Sequence, residues 1–189
     1  VTLQPLSNWN SPMGRLFEAL TESHITFIRQ QPVFFVATAP SEGHINLSPK
    51  GLDSLRVLSP SRILWLNLTG SGNETAAHLL EDARMTIMFC SFGAKPLILR
   101  SYGTASVIHP DESEWEVLSS HFPEQDGSRQ IIDLKIDLVH SSCGFGVPRM
   151  ELIEERKLLD EWIDKKGEAG IRQYWAEKNQ ISMDGKPTR

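Results

Sequence analysis

The chain has 189 residues, of which 40% are apolar and 23% charged, which is the composition of an ordinary folded protein. This length predicts a single domain spanning residues 1–189. A formal charge of −5 gives no general attraction for phosphate backbones, which excludes nucleic acid as the main partner. Because no apolar run reaches the roughly 20 residues of a membrane helix and no export pattern begins the chain, we expect no membrane association and a cytoplasmic location.

The residues that commonly bind metals are scattered along the chain. Cys90 and Cys143 have no metal-ligand spacing and fit a reducing compartment. The six histidines lie in separate predicted elements without clustered spacing. No metal site is therefore predicted.

Apolar residues at helical spacing predict an N-terminal helix over about residues 13–30. Runs rich in branched and aromatic residues, separated by Pro and Gly, then predict four strands, over 33–37, 44–48, 54–58 and 63–68. Further on, the pattern predicts a helix over 74–81, strands over 85–89 and 97–108, a short helix after His109 and a strand over 130–139. A charged helical extension, broken near Gly167 and Gly170, is expected over about 155–180.

Six or seven short strands without regular alternation of strand and helix favour an antiparallel barrel over a doubly wound sheet. The expected class is mainly β with peripheral helices, of the α+β type. Gly103, inside the longest predicted strand, indicates a bulge or a close approach of two backbones.

The stretch LTGSGNETAAHLL, residues 68–80, joins a strand to a helix through small and polar residues. Such a loop presents N–H groups and hydroxyls at the positive end of a helix dipole, which suits phosphate. Asn73 as an ordinary helix N-cap would also explain the loop. A triphosphate P-loop is excluded because Asn73 and Glu74, rather than Lys and Ser or Thr, follow Gly72.

The stretch INLSPKG, residues 45–51, places Asn46, Ser48 and Lys50 on one side of a strand by alternation. Pro49 removes an amide from the ladder, so this strand lies at an edge or ends there. Lys50 either binds an anion or a ring edge, or is a solvated lysine at a turn. Arg100, in an apolar strand, needs a partner that a phosphate or a local carboxylate would supply.

The stretch SSCGFGVP, residues 141–148, is small enough for its backbone to approach a ligand ring or another subunit. Cys143 is a weak candidate nucleophile, because only His140 could act as its base. The catalytic residues are not identified.

In this order and spacing, the motifs resemble the pyridoxamine 5'-phosphate oxidase-like family of FMN-binding split barrels. The motifs are FFVATAP, HINLSPKG, LTGSGNETAAHL, MTIMFC, LILRSYG, SSCGFGVP and the tail DGKPT. The resemblance spans Val33 to Met150 and the tail. It implies a six-stranded antiparallel split barrel and a homodimer with one FMN in each of two clefts between the subunits.

The resemblance also implies which residues bind the cofactor. Asn46, Leu47 and Ser48 would lie along the isoalloxazine ring, and Lys50 matches the lysine that family members keep before a glycine. The phosphate would be surrounded by residues of the loop and its flanks, namely Asn67, Thr69, Ser71, Asn73 and Thr75. A face of the ring would be covered by a segment of either subunit that includes Ser142, Cys143 and Gly144.

Two departures from the family pattern affect the expected activity. Where the oxidases carry an Arg-Lys pair for the phosphate, this chain has Glu74 and Thr75. Lys50 and Arg100 are therefore expected to supply the charge, and Glu74 to point away. The Arg-x-His element that clamps the substrate in the oxidases is missing from residues 151–189, so pyridoxamine phosphate is not the expected substrate.

The expected function is an FMN-dependent oxidoreductase in which the flavin N5 accepts a hydride or electrons from a small-molecule substrate or electron donor. Two alternatives stay open. One is a noncatalytic module that binds flavin, deazaflavin or haem on the same barrel, and the other is a structural dimer that has lost its ligand. The sequence does not identify the electron donor or acceptor.

Overall fold

A computed structural model describes residues 14–189, so Met13, the first residue of the predicted N-terminal helix, lies outside the described range. The strands of this part of the chain are β1 Gly14–Phe17, β2 Phe34–Thr38, β3 Asn46–Lys50, β4 Leu55–Ser59, β5 Arg62–Leu68, β6 Arg84–Cys90, β7 Ile98–Ile108 and β8 Ser128–Ser142. Its helices are α1 Glu22–Arg29, α2 Glu74–Glu81, α3 Trp115–Ser119 and α4 Leu158–Lys178.

The N-terminal helix is shorter than the sequence predicts. Residues 14–17 pair with the end of β8 as strand β1, and α1 begins only at Glu22. The Thr21 hydroxyl accepts the backbone N–H of His24 at 3.3 Å, and His24 Nδ1 accepts the backbone N–H of Thr21 at 3.2 Å. This reciprocal cap fixes the start of the helix, which the apolar spacing alone places too early.

All strands described belong to one antiparallel sheet. Seven of them follow the order β3-β2-β6-β7-β8-β5-β4, and β1 pairs with β8. The sheet curls on itself, because the rings of Phe34 in β2 and Trp65 in β5 lie 6.3 Å apart although three strands separate them in the sheet. The consecutive strands β3 and β4 lie at opposite ends of this order. The result is a barrel split between β3 and β4. The predicted class is confirmed, with eight described strands rather than six.

The main hydrophobic core lies inside the curled sheet and includes Val36, Ile63 and Leu134, which are fully buried. Leu64 and Leu66 of β5 face the other way, into a smaller cluster beneath α3. Because both faces of β5 are covered, its sequence is a nearly continuous apolar run rather than an alternation of apolar and polar residues. Each fully buried aliphatic side chain contributes about 1.5–3 kcal/mol to folding.

Gly103 lies where the register between β7 and β8 shifts. A Cβ atom at this position would be 1.9 Å from the backbone oxygen of Lys135. No side chain can be placed at that distance without moving a strand. The close backbone approach predicted at Gly103 is therefore confirmed.

The C-terminal part of the chain returns to α2. Helix α4 is interrupted at Gly167, where φ is 65°, as predicted, whereas Gly170 lies within the helix. The following C-terminal segment, residues 179–189, is fixed by the ion pairs Lys186–Glu81 and Asp184–His44, each at 2.6 Å. None of the helices described within residues 14–189 is both long and apolar enough to cross a membrane.

Candidate functional site

Strand β3 carries three predicted site residues on one face. Asn46, Ser48 and Lys50 are half-buried, while Leu47 on the opposite face is 64% exposed. Lys50 pairs with Phe34 of β2, whose side chain belongs to the main core, so the lysine starts on the inner face of the barrel. The alternation predicted for this strand and its position at a sheet edge are both confirmed.

The Lys50 side chain reaches towards β5. Its Nζ lies 5.0 Å from the centroid of the Trp65 ring. Burial, and secondarily the positive charge of Arg129, lower the pKa of Lys50 to about 8. No carboxylate among residues 14–189 forms an ion pair with this lysine. Of the two interpretations of the sequence, this environment matches a lysine for an anion or a ring edge, not a solvated turn lysine.

Arg129, which the sequence analysis did not single out, is close enough to this lysine for its positive charge to lower the pKa of Lys50. It is 6% exposed and is the extra residue of a β-bulge, because Asn67 pairs with Gln130 and Leu68 with Ser128. A bulge re-aims the inserted side chain relative to the regular alternation of a strand. Here it directs Arg129 towards the loop between β5 and α2.

The guanidinium of Arg129 is only partly hydrogen-bonded. Nη1 donates to the backbone oxygen of Gly72 at 3.1 Å and to Oδ1 of Asn179 at 2.7 Å, and Nη2 donates to Oδ1 of Asn67 at 3.4 Å. The buried Nε has no partner within the described range. Burial lowers the pKa of Arg129 to about 10, so the group stays charged at neutral pH. Nε–H and the second Nη2 hydrogen remain available for an oxyanion.

Asn73 occupies the N-cap position just before α2, but its side chain does not cap the helix. Its side chain makes no capping hydrogen bond. Instead, Nδ2 donates to the backbone oxygen of Asn179 at 3.5 Å, and the buried Oδ1 has no partner among residues 14–189. The ordinary N-cap interpretation is therefore right about the position of this asparagine but not about a capping bond from its side chain. The Asn73 side chain therefore accepts no hydrogen bond from the first N–H groups of α2.

The other predicted residues of the loop and its flanks have distinct positions. The Thr69 hydroxyl donates to the backbone oxygen of Gly127 at 2.7 Å and accepts Nε1–H of Trp175 at 2.8 Å, so it is already engaged. Ser71 is exposed. Thr75 is buried, and its hydroxyl accepts Nδ2–H of Asn46 at 3.2 Å.

The amide of Asn67 bridges the site to β8. Its Nδ2 donates to Oε1 of Gln130 at 3.1 Å, while its Oδ1 accepts the Arg129 bond. Glu74 points away from this group, since both its carboxylate oxygens accept the backbone N–H of Met183 at 3.2 Å. The start of α2 thus has the Arg129 guanidinium, amides and hydroxyls around it, with its acidic residue turned towards the C-terminal segment.

Arg100 lies on the opposite face of the sheet from Lys50. The paired residues Lys50, Phe34, Phe89 and Leu99 form a row on the inner face, and Arg100 follows Leu99 on the outer face. One chain therefore does not bring Arg100 and Lys50 together.

Arg100 instead meets the end of β8. Its Nη1 donates to the hydroxyl of Ser142 at 3.2 Å. Cys143 is exposed, and Gly144 has a φ of 67° and lies so close to Leu97 that an added Cβ would be 3.0 Å from the Leu97 backbone nitrogen. The predicted site residues therefore form two groups, one inside the split barrel and one on its outer face.

A cavity of about 390 Å³ is lined by Asn73 and Arg129 of the inner group, whereas Lys50 is not part of its wall. The other walls come from β8, the segment after β7, the end of α4 and the C-terminal segment, and include His109, Asp111, Gln130, Arg172, Trp175, Asn179, Thr188 and Arg189. This volume is in the range of small-molecule sites. No group of three metal-ligating side chains is found in the part of the chain that the structure describes.

The geometry agrees with comparisons to known proteins. The fold of a Lactobacillus delbrueckii protein assigned as a candidate pyridoxamine 5'-phosphate oxidase is similar, with a TM-score of 0.54 at 22% identity, over 65% of this chain and 94% of that one. HupZ of Group A Streptococcus is similar at a TM-score of 0.51 and 18% identity, over 63% of this chain and 91% of its own. At these identities, the likeness concerns the fold alone.

The sequence comparisons identify the family. The family model described as pyridoxamine 5'-phosphate oxidase matches residues 20–143. The pyridoxamine 5'-phosphate oxidase family protein ustO of Aspergillus flavus is 37% identical over 195 residues, which cover 93% of this chain and 78% of that protein. The chain, a split barrel with a cation-lined site, therefore belongs to the pyridoxamine 5'-phosphate oxidase family.

Proposed function

We propose that this protein binds FMN and acts as an oxidoreductase, and that Arg129 and Lys50 bind the FMN phosphate at the start of α2. The observation that carries this proposal is that Arg129 is buried and Lys50 half-buried, that the charge of Arg129 lowers the pKa of Lys50, and that neither has a carboxylate partner within residues 14–189. An uncompensated buried charge costs several kcal/mol. A dianionic phosphate would offset this cost for both cations at once.

The groups present fit a phosphate ester. Arg129 offers its unpaired Nε–H, and Lys50 offers an ammonium whose pKa is already lowered by burial and by that arginine. The positive end of the α2 dipole adds a further attraction for an oxyanion. In this proposal, Arg129 supplies the charge that the sequence analysis expected from Arg100.

The ring of FMN is proposed to lie along β3. As an edge strand, β3 has backbone groups without a neighbour on one side, which can hydrogen-bond the polar edge of a flavin. Asn46, Leu47 and Ser48 are the residues concerned. Bound FMN supplies two-electron redox chemistry, and the chain orients the ring and limits the access of water.

We further propose a homodimer with FMN between the subunits. Arg100, Ser142 and Cys143 lie on the outer face of one chain, away from its own Lys50. The outer face of a second copy could cover the inner group of the first. The exposed Leu47 belongs to such an apolar contact surface.

Comparing FMN with riboflavin tests the phosphate site. The full chain, freed of ligand, is titrated with each flavin while fluorescence quenching is followed. FMN is expected to bind about 10- to 100-fold more tightly than riboflavin, the usual effect of hydrogen bonds to a charged group. Arg129→Gln should remove most of this preference, whereas Arg156→Gln, at an exposed position, should keep it. Equal affinities for the two flavins in the parent would contradict the proposal.

A flavin-binding role without catalysis is the second candidate. It is favoured by the absence of an Arg-x-His element from residues 151–189 of the sequence. Anaerobic addition of NADH, NADPH and a panel of small reductants to the FMN-loaded protein separates the two roles. Bleaching of the flavin bands within the mixing time supports the oxidoreductase, and unchanged bands support the carrier. A Soret band in the purified protein would instead assign haem.

A further inference from the structure

Asn179 connects the C-terminal part of the chain to the anion site. It follows α4 directly and is 1% exposed, and it lies outside the family match, which ends at residue 143. Both polar atoms of its side-chain amide form hydrogen bonds. Oδ1 accepts Nη1–H of Arg129 at 2.7 Å, and Nδ2 donates to the backbone oxygen of Gly70 at 3.2 Å.

The backbone of Asn179 joins two further elements to this contact. Its carbonyl oxygen accepts the Thr188 hydroxyl at 2.6 Å and Nδ2–H of Asn73 at 3.5 Å. One turn earlier in α4, Trp175 donates to the Thr69 hydroxyl. The loop before α2 is therefore held from the C-terminal side, and Asn179 is the residue that also holds Arg129.

We infer that Asn179 is a positioning residue that aims Arg129 at the phosphate, so that the chain beyond residue 143 forms part of the FMN site. This inference rests on the proposed function. Because Gly72 and Asn179 both accept from Nη1, they fix the plane of the guanidinium and leave its Nε side unpaired. A preorganised guanidinium loses less freedom when it binds an oxyanion.

The neutrality of Asn179 is as important as its position. An aspartate of the same shape would accept the same Nη1 bond, but it would lose the bond that Nδ2 donates to Gly70 and would place a negative charge against Arg129. Arg129 would then be neutralised from within the chain. The residue therefore determines how much of the arginine's charge is available to a ligand.

Asn179→Asp tests this inference through the preference for phosphate. FMN affinity is expected to fall about 10- to 100-fold, which corresponds to the loss of a charged hydrogen-bond partner, while riboflavin affinity stays the same. Gln173→Glu is the matched control, because it makes the same change in charge at an exposed position of α4 and should leave both affinities unchanged.

A double-mutant cycle separates positioning from a purely structural role. In an Arg129→Gln background, Asn179→Asp should lower FMN affinity much less than it does in the parent, because the part of its effect that acts through Arg129 is gone and only direct repulsion of the phosphate is left. A purely structural role predicts that FMN and riboflavin affinities fall together and that the effects of the two substitutions add. That result would overturn the inference.

Thr188→Val is the second variant, for use if Asn179→Asp does not fold. It removes the hydroxyl that holds the Asn179 carbonyl and should reduce the preference for FMN by about 2- to 10-fold. A parent without any preference for FMN would refute the proposed function. If the parent prefers FMN and both variants keep this preference in full, the role of Asn179 is refuted but the proposed function is not.

Discussion

The Nζ atom of Lys50 lies 5.0 Å from the centroid of the Trp65 ring, so a charged group of β3 rests on an aromatic core residue of β5. The ring offsets part of the lost hydration of the ammonium. The pKa of about 8 means that the charged form is still less favourable here than in water. A buried ammonium with a lowered pKa makes the ligand-free protein less stable at neutral pH.

Lys50→Met should separate stability from binding. Methionine keeps the length of the side chain and removes the charge, so the ligand-free protein is expected to gain about 1–3 kcal/mol at pH 7. FMN affinity should fall about 10- to 100-fold. Urea unfolding and flavin titration measure the two effects. A variant less stable than the parent would show that the ammonium is well satisfied without ligand.

Lys166→Met is the control for this substitution. Lys166 also lies over an aromatic ring, with Nζ 5.5 Å from the centroid of Trp162, but it is exposed. An exposed cation–π contact contributes about 0.5–1 kcal/mol. This variant is therefore expected to lose a little stability and to keep its affinity for FMN.

The affinity for FMN should fall as the pH rises above 8. In the free protein, Lys50 loses its proton near pH 8, whereas a bound phosphate would favour the protonated form. Each further pH unit then weakens binding by up to about tenfold, since one proton must be taken up on binding. Titrations between pH 6.5 and 9.5 measure the slope. Lys50→Met should abolish it, and a slope retained in that variant would assign it to another group.

Unlike FMN affinity, the contribution of Lys50 to the stability of the ligand-free protein should become more favourable as the pH rises. Between pH 8 and 10.5, the unfolded chain binds a proton on Lys50 that the folded chain lacks, so this residue makes folding more favourable as the pH rises. The stability advantage of Lys50→Met over the parent is therefore expected to shrink across this range. Urea unfolding of both proteins at pH 7, 8.5 and 10 gives the difference, and an advantage that grows with pH would contradict the assignment.

Gly103→Ala should destabilise the barrel strongly. The new Cβ would lie 1.9 Å from the backbone oxygen of Lys135, and a strand would have to move. We expect a loss of more than about 3 kcal/mol, in the upper range for single substitutions. Gly146→Ala is the control, because no atom lies within 4 Å of the added carbon. Similar midpoints in thermal unfolding for the two variants would argue against the close approach.

Leu47→Glu should weaken the proposed homodimer. Leu47 is 64% exposed in the single chain, so a glutamate there leaves the core intact, but it would place a charge in the contact with the second copy. Light scattering after gel filtration is expected to show a shift towards monomer and flavin titration a loss of FMN affinity. Val117→Glu, at a residue of α3 that is 67% exposed, should change neither.

Local signals predict much of the fold and less of the site. Helix α2 was predicted with the same ends that it has in the structure, because periodicity and the polar loop coincide at residue 74. The predicted helix over residues 13–30 was wrong at its start, since the cap at Thr21 depends on a histidine side chain that helical periodicity does not register.

The role of Arg129 could not be predicted from neighbouring residues. Its acceptors Gly72 and Asn179 are 57 and 50 residues away in the sequence, and the bulge that aims it follows from pairing between β5 and β8. For Lys50, by contrast, strand alternation was enough to place the side chain on the same face as Asn46 and Ser48. The assignment of FMN contacts to these residues stays a prediction until a flavin titration is done.

Because Arg129 is the extra residue of a bulge, the charge of the site depends on the number of residues in β8 as well as on their type. Leu68 pairs with Ser128 and Asn67 with Gln130, so deleting the residue between these two partners would restore a regular ladder and remove the guanidinium. In an alignment of related barrels, a gap at this position would therefore be as informative as a substitution. Relatives with such a gap would need to obtain their positive charge from another strand.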